Sequence, residues 1–265
     1  EPGAAHPIAV LHHIMIRAQN AYCDAHWPKL PANEACTVFA IGVGNDWSFS
    51  KYAASKGCSV HAFDPTLQLR SQHSRIARTL NRVRFHFAGL GGAPAGQTKN
   101  SYGTIDMAQL MTLDEMIAAT PSTDGKLVAL SIDCEGCEWA GMEQVANNTS
   151  GDALRHVQLV TMELHVSPTM VAPTLRQFVG LFDLMLDKLG FRLWWQRTND
   201  GYPYDQRVID FLGVGGLRAG LCCYELAFVR PPHGAQRNGL SGLLRRGSIA
   251  NVLPVPNRKE RSPKG

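Results

Sequence analysis

No apolar run in this 265-residue chain reaches the roughly 18 residues that a membrane-crossing helix needs, so no membrane span is expected in it. Charge of one sign is scarce as well, the formal net charge being +4. It is also unevenly placed: residues from Pro231 onward carry +6, which leaves −2 on residues 1–230. A body of that charge gives no electrostatic footprint for nucleic acid, and a basic tail alone is weak ground for one, so no nucleic-acid partner is expected. The chain opens on Glu1 with no initiator Met, as a processed or excised piece would. Disorder throughout is excluded by 45% hydrophobic against 18% charged residues, and the length suffices for one α/β domain with a substantial core.

Metal-binding patterns are nearly absent. Cys134-x-x-Cys137 has the spacing of a zinc or redox pair, but no second pair and no histidines at finger spacing accompany it. The seven cysteines, an odd number, are therefore expected mostly as buried small hydrophobes or free thiols. Asn147-Asn148-Thr149 and Asn148-Thr149-Ser150 both fit a glycosylation acceptor, which matters only on the secretory route. No internal repeat is visible.

What the chain does hold is an ordered nucleoside-binding pattern. Val38 to Ile41 is an apolar strand running into Gly42-Val43-Gly44, a helix ends at Gly57, and a second strand, Ser59 to Phe63, stops on Asp64, 22 residues after Gly42. Glycines let the backbone approach a ligand, and an acidic residue ending the second strand can accept from a ribose diol. Elsewhere the pattern predicts an amphipathic helix over 8–22, a helix from Leu67 to Leu80 and a strand from Val83 to Ala88. The glycine-rich stretch from Gly89 to Gly103 is expected as a mobile lid. A capping box at Thr112 to Glu115 then opens a short helix, and Leu127 to Ile132 is a continuous apolar strand ending on Asp133-Cys134-Glu135-Gly136-Cys137-Glu138. Strands at Val157 to Leu164, Phe191 to Gln196 and Cys222 to Val229 follow. Five strands alternating with helices imply a parallel sheet, and the last two, with no clear helix between them, an antiparallel pair at one edge. The fold class expected is thus α/β, a Rossmann-like doubly wound seven-stranded sheet, mostly parallel with an antiparallel last strand. Its domain spans 38–230, after an N-terminal helix and loop over 1–37 and before a basic, disordered tail over 231–265.

A dinucleotide fold would place a third glycine where this chain has Trp47, so a nicotinamide-dependent oxidoreductase is disfavoured. Methyltransferases have no pyrophosphate to cradle and tolerate the change. The Asn-Pro-Pro-aromatic motif of base-modifying amino methyltransferases is missing after the fourth strand, where Asp133-Cys134-Glu135 stands. Taken together, Ile41 to Phe49, His61 to Thr66 and Ser131 to Trp139 resemble the FkbM-type methyltransferases over roughly residues 35–230, the Asp-x-Glu-Gly-x-Glu block being the most specific part. That resemblance implies S-adenosylmethionine as cofactor, with Gly42, Gly44 and Asp64 at it; Asn45 and Asp133 are further candidate cofactor contacts. It also implies methylation of an oxygen, on a small molecule or glycan. Ala40 departs from the family, which carries an acid there toward the methionine end of the cofactor; a catalytically inactive binding module is the alternative this raises.

Three strand ends supply candidates for the chemistry. Glu163 and His165 share one face of the fifth strand, and His165, titrating near neutrality, is the first choice for general base. Asp133 can face the methionine amino group or the acceptor. A divalent cation on Asp133, Glu163 and His165 is conceivable, but such sets arise often at strand ends, and no metal is expected. Glu135 reads equally as a helix cap or a substrate contact, and Trp47 and Phe49 read as packing.

Overall fold

The computed structural model describes residues 27–30, 34–91, 99–100, 102–121, 124–147, 154–165, 175–199 and 223–231. The helix expected over 8–22 and the tail from 232 lie outside these residues. Among the described residues no helix is long and apolar enough to cross a membrane.

The first strand, β1 (Cys36–Ile41), is buried along its whole length, and its alternate residues serve two different layers. Phe39 and Ile41 join one core with Phe63, Leu130, Ile132 and Met142, whereas Val38 and Ala40 join another with Phe49, Ala53 and Val60. A strand sandwiched in this way must carry apolar residues on both faces, which is why the sequence shows a run rather than an alternation. Helix α1 (Ser48–Ser55) follows, its entry held by Asp46, whose carboxylate accepts from Ser48 N and Ser48 Oγ. Then come β2 (Ser59–Phe63), a 3₁₀ turn over Leu67–Leu69, α2 (Arg70–Thr79) and β3 (Val83–His86).

Four two-residue strands lie in the stretch expected as a lid and just beyond it. β4 (Gly89–Leu90) pairs with β7 (Leu110–Met111), and β5 (Lys99–Asn100) makes a hairpin with β6 (Gly103–Thr104). Helix α3 (Leu113–Ala118) carries the expected capping box: Glu115 N donates to Thr112 Oγ1 at 3.0 Å and Thr112 N to Glu115 Oε2 at 2.7 Å. β8 (Lys126–Ile132), α4 (Cys137–Asn147), β9 (Leu159–His165), α5 (Leu175–Phe182, running into a π-helical turn over Asp183–Lys188), β10 (Arg192–Asn199) and β11 (Cys223–Val229) complete the chain.

Seven of these strands form one sheet in the order β10-β11-β9-β8-β1-β2-β3, all parallel except β11, which runs antiparallel to both its neighbours. The expected doubly wound α/β sheet is therefore present, with its last strand inserted inside the edge strand. The order reverses between β1 and β8, and the crevice at such a switch point is where open α/β sheets bind ligands. Trp27, placed by the expected boundary in the N-terminal segment, belongs to the body: its ring packs on Tyr52 and Phe49 at centroid distances of 5.0 and 6.2 Å.

The cysteines differ from expectation. Cys36 and Cys58 form a disulfide, as do Cys134 and Cys137, and Cys223 is also disulfide-bonded. The first pair follows from register: Thr37 stands opposite Ser59, so the residue before each stands opposite its counterpart, with the two Cα atoms 4.8 Å apart. Register is a tertiary property that no cysteine spacing reveals.

On the far edge, His61 and His86 are joined to Asp124. His61 Nε2 lies 2.9 Å from Asp124 Oδ2 and His61 Nδ1 lies 2.8 Å from His86 Nε2, while Arg84 binds the same carboxylate oxygen. Burial, and then the neighbouring His61 and Arg84, push the His86 pKa down to about 4. The folded protein therefore refuses a proton that the unfolded chain takes up at its ordinary value of 6.5. Since the unfolded state binds more protons between these values, stability is fully present above about pH 6.5 and declines as pH falls toward 4. Urea midpoints measured across this window should fall less in His86→Gln than in the wild type.

Candidate functional site

The switch-point crevice is built by the ends of β1, β2 and β8. Their backbones are tied together just past the strands: Gly42 N donates to the Phe63 carbonyl at 2.8 Å and Asp133 N to the Ile41 carbonyl at 2.9 Å. Gly42 sits at φ +77°, and a Cβ there would overlap the carbonyl group of Asp133. Only glycine lets β1 leave the sheet against β8 in this way. Gly44, at φ +51°, faces the ring of Tyr102, which a Cβ would meet at 2.9 Å.

The resulting cleft is partly open to solvent and lies at the ends of these three strands. Ile41, Gly42 and Gly44 form its floor, Asp64 and Pro65 one side, and the turn from Asp133 to Cys137 the other. The short hairpin covers it, since Asn100 and Tyr102 both line the cleft. That cover is docked rather than loose: Asn100 Nδ2 donates to Thr66 Oγ1 at 3.0 Å, and Thr104 N donates to Gln68 Oε1 at 2.8 Å.

Asp64 is buried and works on its own backbone surroundings. Its Oδ2 accepts from Gly44 N at 2.8 Å and its Oδ1 from Thr66 N at 2.9 Å, while His73 Nε2 lies 3.4 Å from Oδ2. Burial alone would raise its pKa, but the bonds from His73, Thr66 and Gly44 outweigh it and hold the carboxyl below its ordinary value.

The opposite side is a nest of carboxylates around one imidazole. Glu138, wholly buried near the start of α4, accepts from His165 N at 2.6 Å and lies 3.0 Å from His165 Nδ1 through the same oxygen, Oε1. Its other oxygen accepts from Gly136 N at 3.0 Å. Trp139 Nε1 donates to the carbonyl of His165 at 2.8 Å, so two consecutive α4 residues grip the end of β9. The far nitrogen of the ring, Nε2, lies 3.7 Å from Glu135 and 3.9 Å from Asp133. Burial would lower the His165 pKa, but the charge and hydrogen bond of Glu138, followed by Asp133 and Glu163, raise it to about 10. At neutral pH the ring is an imidazolium. Asp133 moves the other way, its carboxyl held well above the usual range by burial and then by the negative charge of Glu163. Glu135 adopts φ +61°, a left-handed conformation uncommon outside glycine, with its side chain buried.

The structure thus brings Gly42, Gly44, Asp64 and Asp133 of the sequence-derived candidates to one cleft. Asn45 is exposed and does not line it, and His165 and Glu163 stand behind its wall. Trp47 is buried against His73 at 5.3 Å, a packing role. Tyr202 and Tyr204, which the strand order expected from the sequence puts on the substrate side, lie outside the described residues. Glu138, Asn100 and Tyr102 were not among the candidates. For Glu138 the Asp-x-Glu-Gly-x-Glu block was the available signal; the hairpin residues carry none. Among the described residues, two groups of ligand-type atoms lie close together, Cys134 with Cys137 and Glu138, and Glu163 with His165 and Cys223. In each the cysteines are disulfide-bonded, which removes the thiolate a metal would need.

The family described as a methyltransferase domain matches residues 18–208, more than half of the chain. No curated protein matches it significantly. Among solved structures, the bifunctional kinase-methyltransferase WbdD is similar at 14% identity and a TM-score of 0.39, over 73% of this chain and 34% of its own. This chain therefore spans about a third of that protein. A protein of the NADB-Rossmann superfamily from Streptococcus agalactiae is similar at 12% identity and TM-score 0.39, over 84% of this chain and 72% of its own. An uncharacterized protein from Listeria monocytogenes serotype 4b is similar at 8% identity and TM-score 0.38, over 82% and 77%.

Removing one partner of a buried ion pair strands the other, at a cost of about 3 kcal/mol or more. Glu138→Gln should therefore lower the unfolding free energy by that order at pH 7, and an NMR titration should find the His165 pKa well below about 10. Because the folded pKa is raised, the pair's contribution is fully present below pH 6.5 and fades as pH climbs through about 10, so the gap between variant and wild type should narrow there.

Proposed function

The chain belongs to the methyltransferase-domain family, and on that footing we propose that it is an S-adenosylmethionine-dependent methyltransferase acting on an oxygen of a small molecule or glycan. The observation that supports the cofactor is charge. Asp64, Asp133 and Glu135 line the cleft, and among the described residues no lysine or arginine does. An acidic cleft suits a ligand carrying an ammonium and a sulfonium and repels a pyrophosphate. Gly42 and Gly44 shape the cleft indirectly, since a Cβ there would push away the Asp133 backbone and the Tyr102 ring that line it. Asp64 accepts two backbone hydrogen bonds, from Gly44 N and Thr66 N, and a carboxylate's roughly four lone-pair positions leave room for a ribose hydroxyl. The FkbM-type branch is the assignment that the Asp133 to Glu138 block favours.

When bound, the donor supplies an activated methyl group for in-line displacement. The protein's own part is to align an acceptor oxygen, exclude water and take its proton. Asn100 and Tyr102 shield the cleft from above. An imidazolium has no lone pair to accept a proton, so the base role passes from His165 to Asp133. Its side chain is 37% exposed toward the cleft, and its raised pKa brings a carboxylate closer to the basicity the step needs. Glu163 and His165 act behind it, the first raising and the second restraining that pKa. Ala40 is buried in the layer packed against α1 and does not line the cleft, so the acid missing there is supplied from the other side by Asp133 and Glu135.

Calorimetry should show binding of S-adenosylmethionine and of its demethylated product, with no heat from NAD. Charge reversal by Asp133→Lys should weaken the methyl donor at least tenfold, equivalent to about 1.4 kcal/mol. Absence of binding by both donor and product would overturn the assignment.

A further inference from the structure

The two disulfides described as pairs differ in the one property that governs thiol exchange, access to solvent. Cys36 and Cys58 are buried between β1 and β2, at 7% and 1% exposure. Cys134 and Cys137 are only partly buried, and both line the cleft. They bracket Glu135 and Gly136, so the bond closes the very turn that forms the acidic wall. Glu135 is held there at φ +61° and Gly136 at φ +113°, and Gly136 N delivers its hydrogen bond to Glu138, the residue that charges His165.

We propose that Cys134–Cys137 is a redox-active site whose substrate is a dithiol, and that its state sets the affinity of the cleft for the methyl donor. The second half rests on the reading given under Proposed function. In the exchange, a thiolate of the reductant attacks one Sγ and the bond electrons leave on the other, which takes up a proton. The second thiol of the reductant then displaces the mixed disulfide, so two electrons and two protons pass to the cysteines and the reductant departs as its own disulfide. With the cross-link cut, nothing covalent keeps Glu135 in a left-handed conformation that its Cβ disfavours. The turn relaxes, the carboxylate leaves the cleft wall, and binding loses the preorganisation it depended on. Cys36–Cys58 serves as an internal reference, because reduction there requires the sheet to open.

The test uses the full chain titrated with dithiothreitol, alkylated and read by peptide mass spectrometry, with calorimetry of S-adenosylmethionine binding on the oxidised and reduced samples. Cys134 and Cys137 should label well before Cys36 and Cys58, and the reduced protein should bind about tenfold or more weakly, recovering on reoxidation. Cys134→Ser/Cys137→Ser should match the reduced state, and circular dichroism of the reduced wild type guards against misfolding of the variant. Equal labelling rates for the two pairs, or donor affinity that is the same in both states, overturns the inference alone. Failure of both states to bind overturns the cofactor assignment, and this inference with it.

Discussion

The pairing of Glu138 with His165 is the interaction on which the working end of this fold depends. Neither residue could be buried alone, since an isolated charge in a protein interior costs several kcal/mol. Together they are held by the start of α4 on one side and the end of β9 on the other, and Trp139 fastens the same strand end through its carbonyl. The pair does more than fill space. One positive ring placed behind Asp133 and Glu135 offsets part of the mutual repulsion that, with burial, keeps the Asp133 pKa raised.

Geometry at the sheet centre supplies the complement. β1 is flanked by β2 and β8, and the topology reverses there, so three chain segments leave the sheet within a few ångströms of one another. Gly42 permits the crossing and Asp64 steadies it, binding the backbone on both sides of the turn through Gly44 and Thr66. A carboxylate in that position has a structural duty before any ligand arrives. Its lowered pKa reflects that duty in part, because His73 and then the backbone N–H groups that it fixes together outweigh the effect of burial.

Much of this could be read from residues in isolation, and the parts that could not share a cause. Strand identity followed from apolar runs, and strand ends fall where glycine or an acid interrupts them; hence Gly42, Asp64 and Asp133 were legible. The capping box at Thr112 and Glu115 was legible because both partners lie within one helical turn. Long-range partners were not. That His165 would meet Glu138 across 27 positions, which raises the pKa of its ring, depends on how α4 packs against β9. The union of Cys36 with Cys58 depends on strand register, and the placement of Tyr102 over Gly44 depends on a hairpin whose sequence carries no chemical signature.

The charge of the cleft also bears on how a cycle of transfer would turn over. A methyl donor carries a positive sulfonium that its demethylated product lacks, while both keep the ammonium and carboxylate of the amino-acid end. Under the proposed function, carboxylates lining the site would stabilise the donor by one more charge interaction than the product. On the proposed reading Asp133 would refine the difference: as base it would gain the acceptor's proton in the same step, so one negative charge would be lost from the wall when one positive charge is lost from the ligand. The cleft after transfer is left less acidic and its occupant less cationic, and both changes favour release. A site lined with basic residues would show neither effect, which is why the absence of lysine and arginine among the described lining residues carries more weight for function than any single hydrogen bond in the cleft.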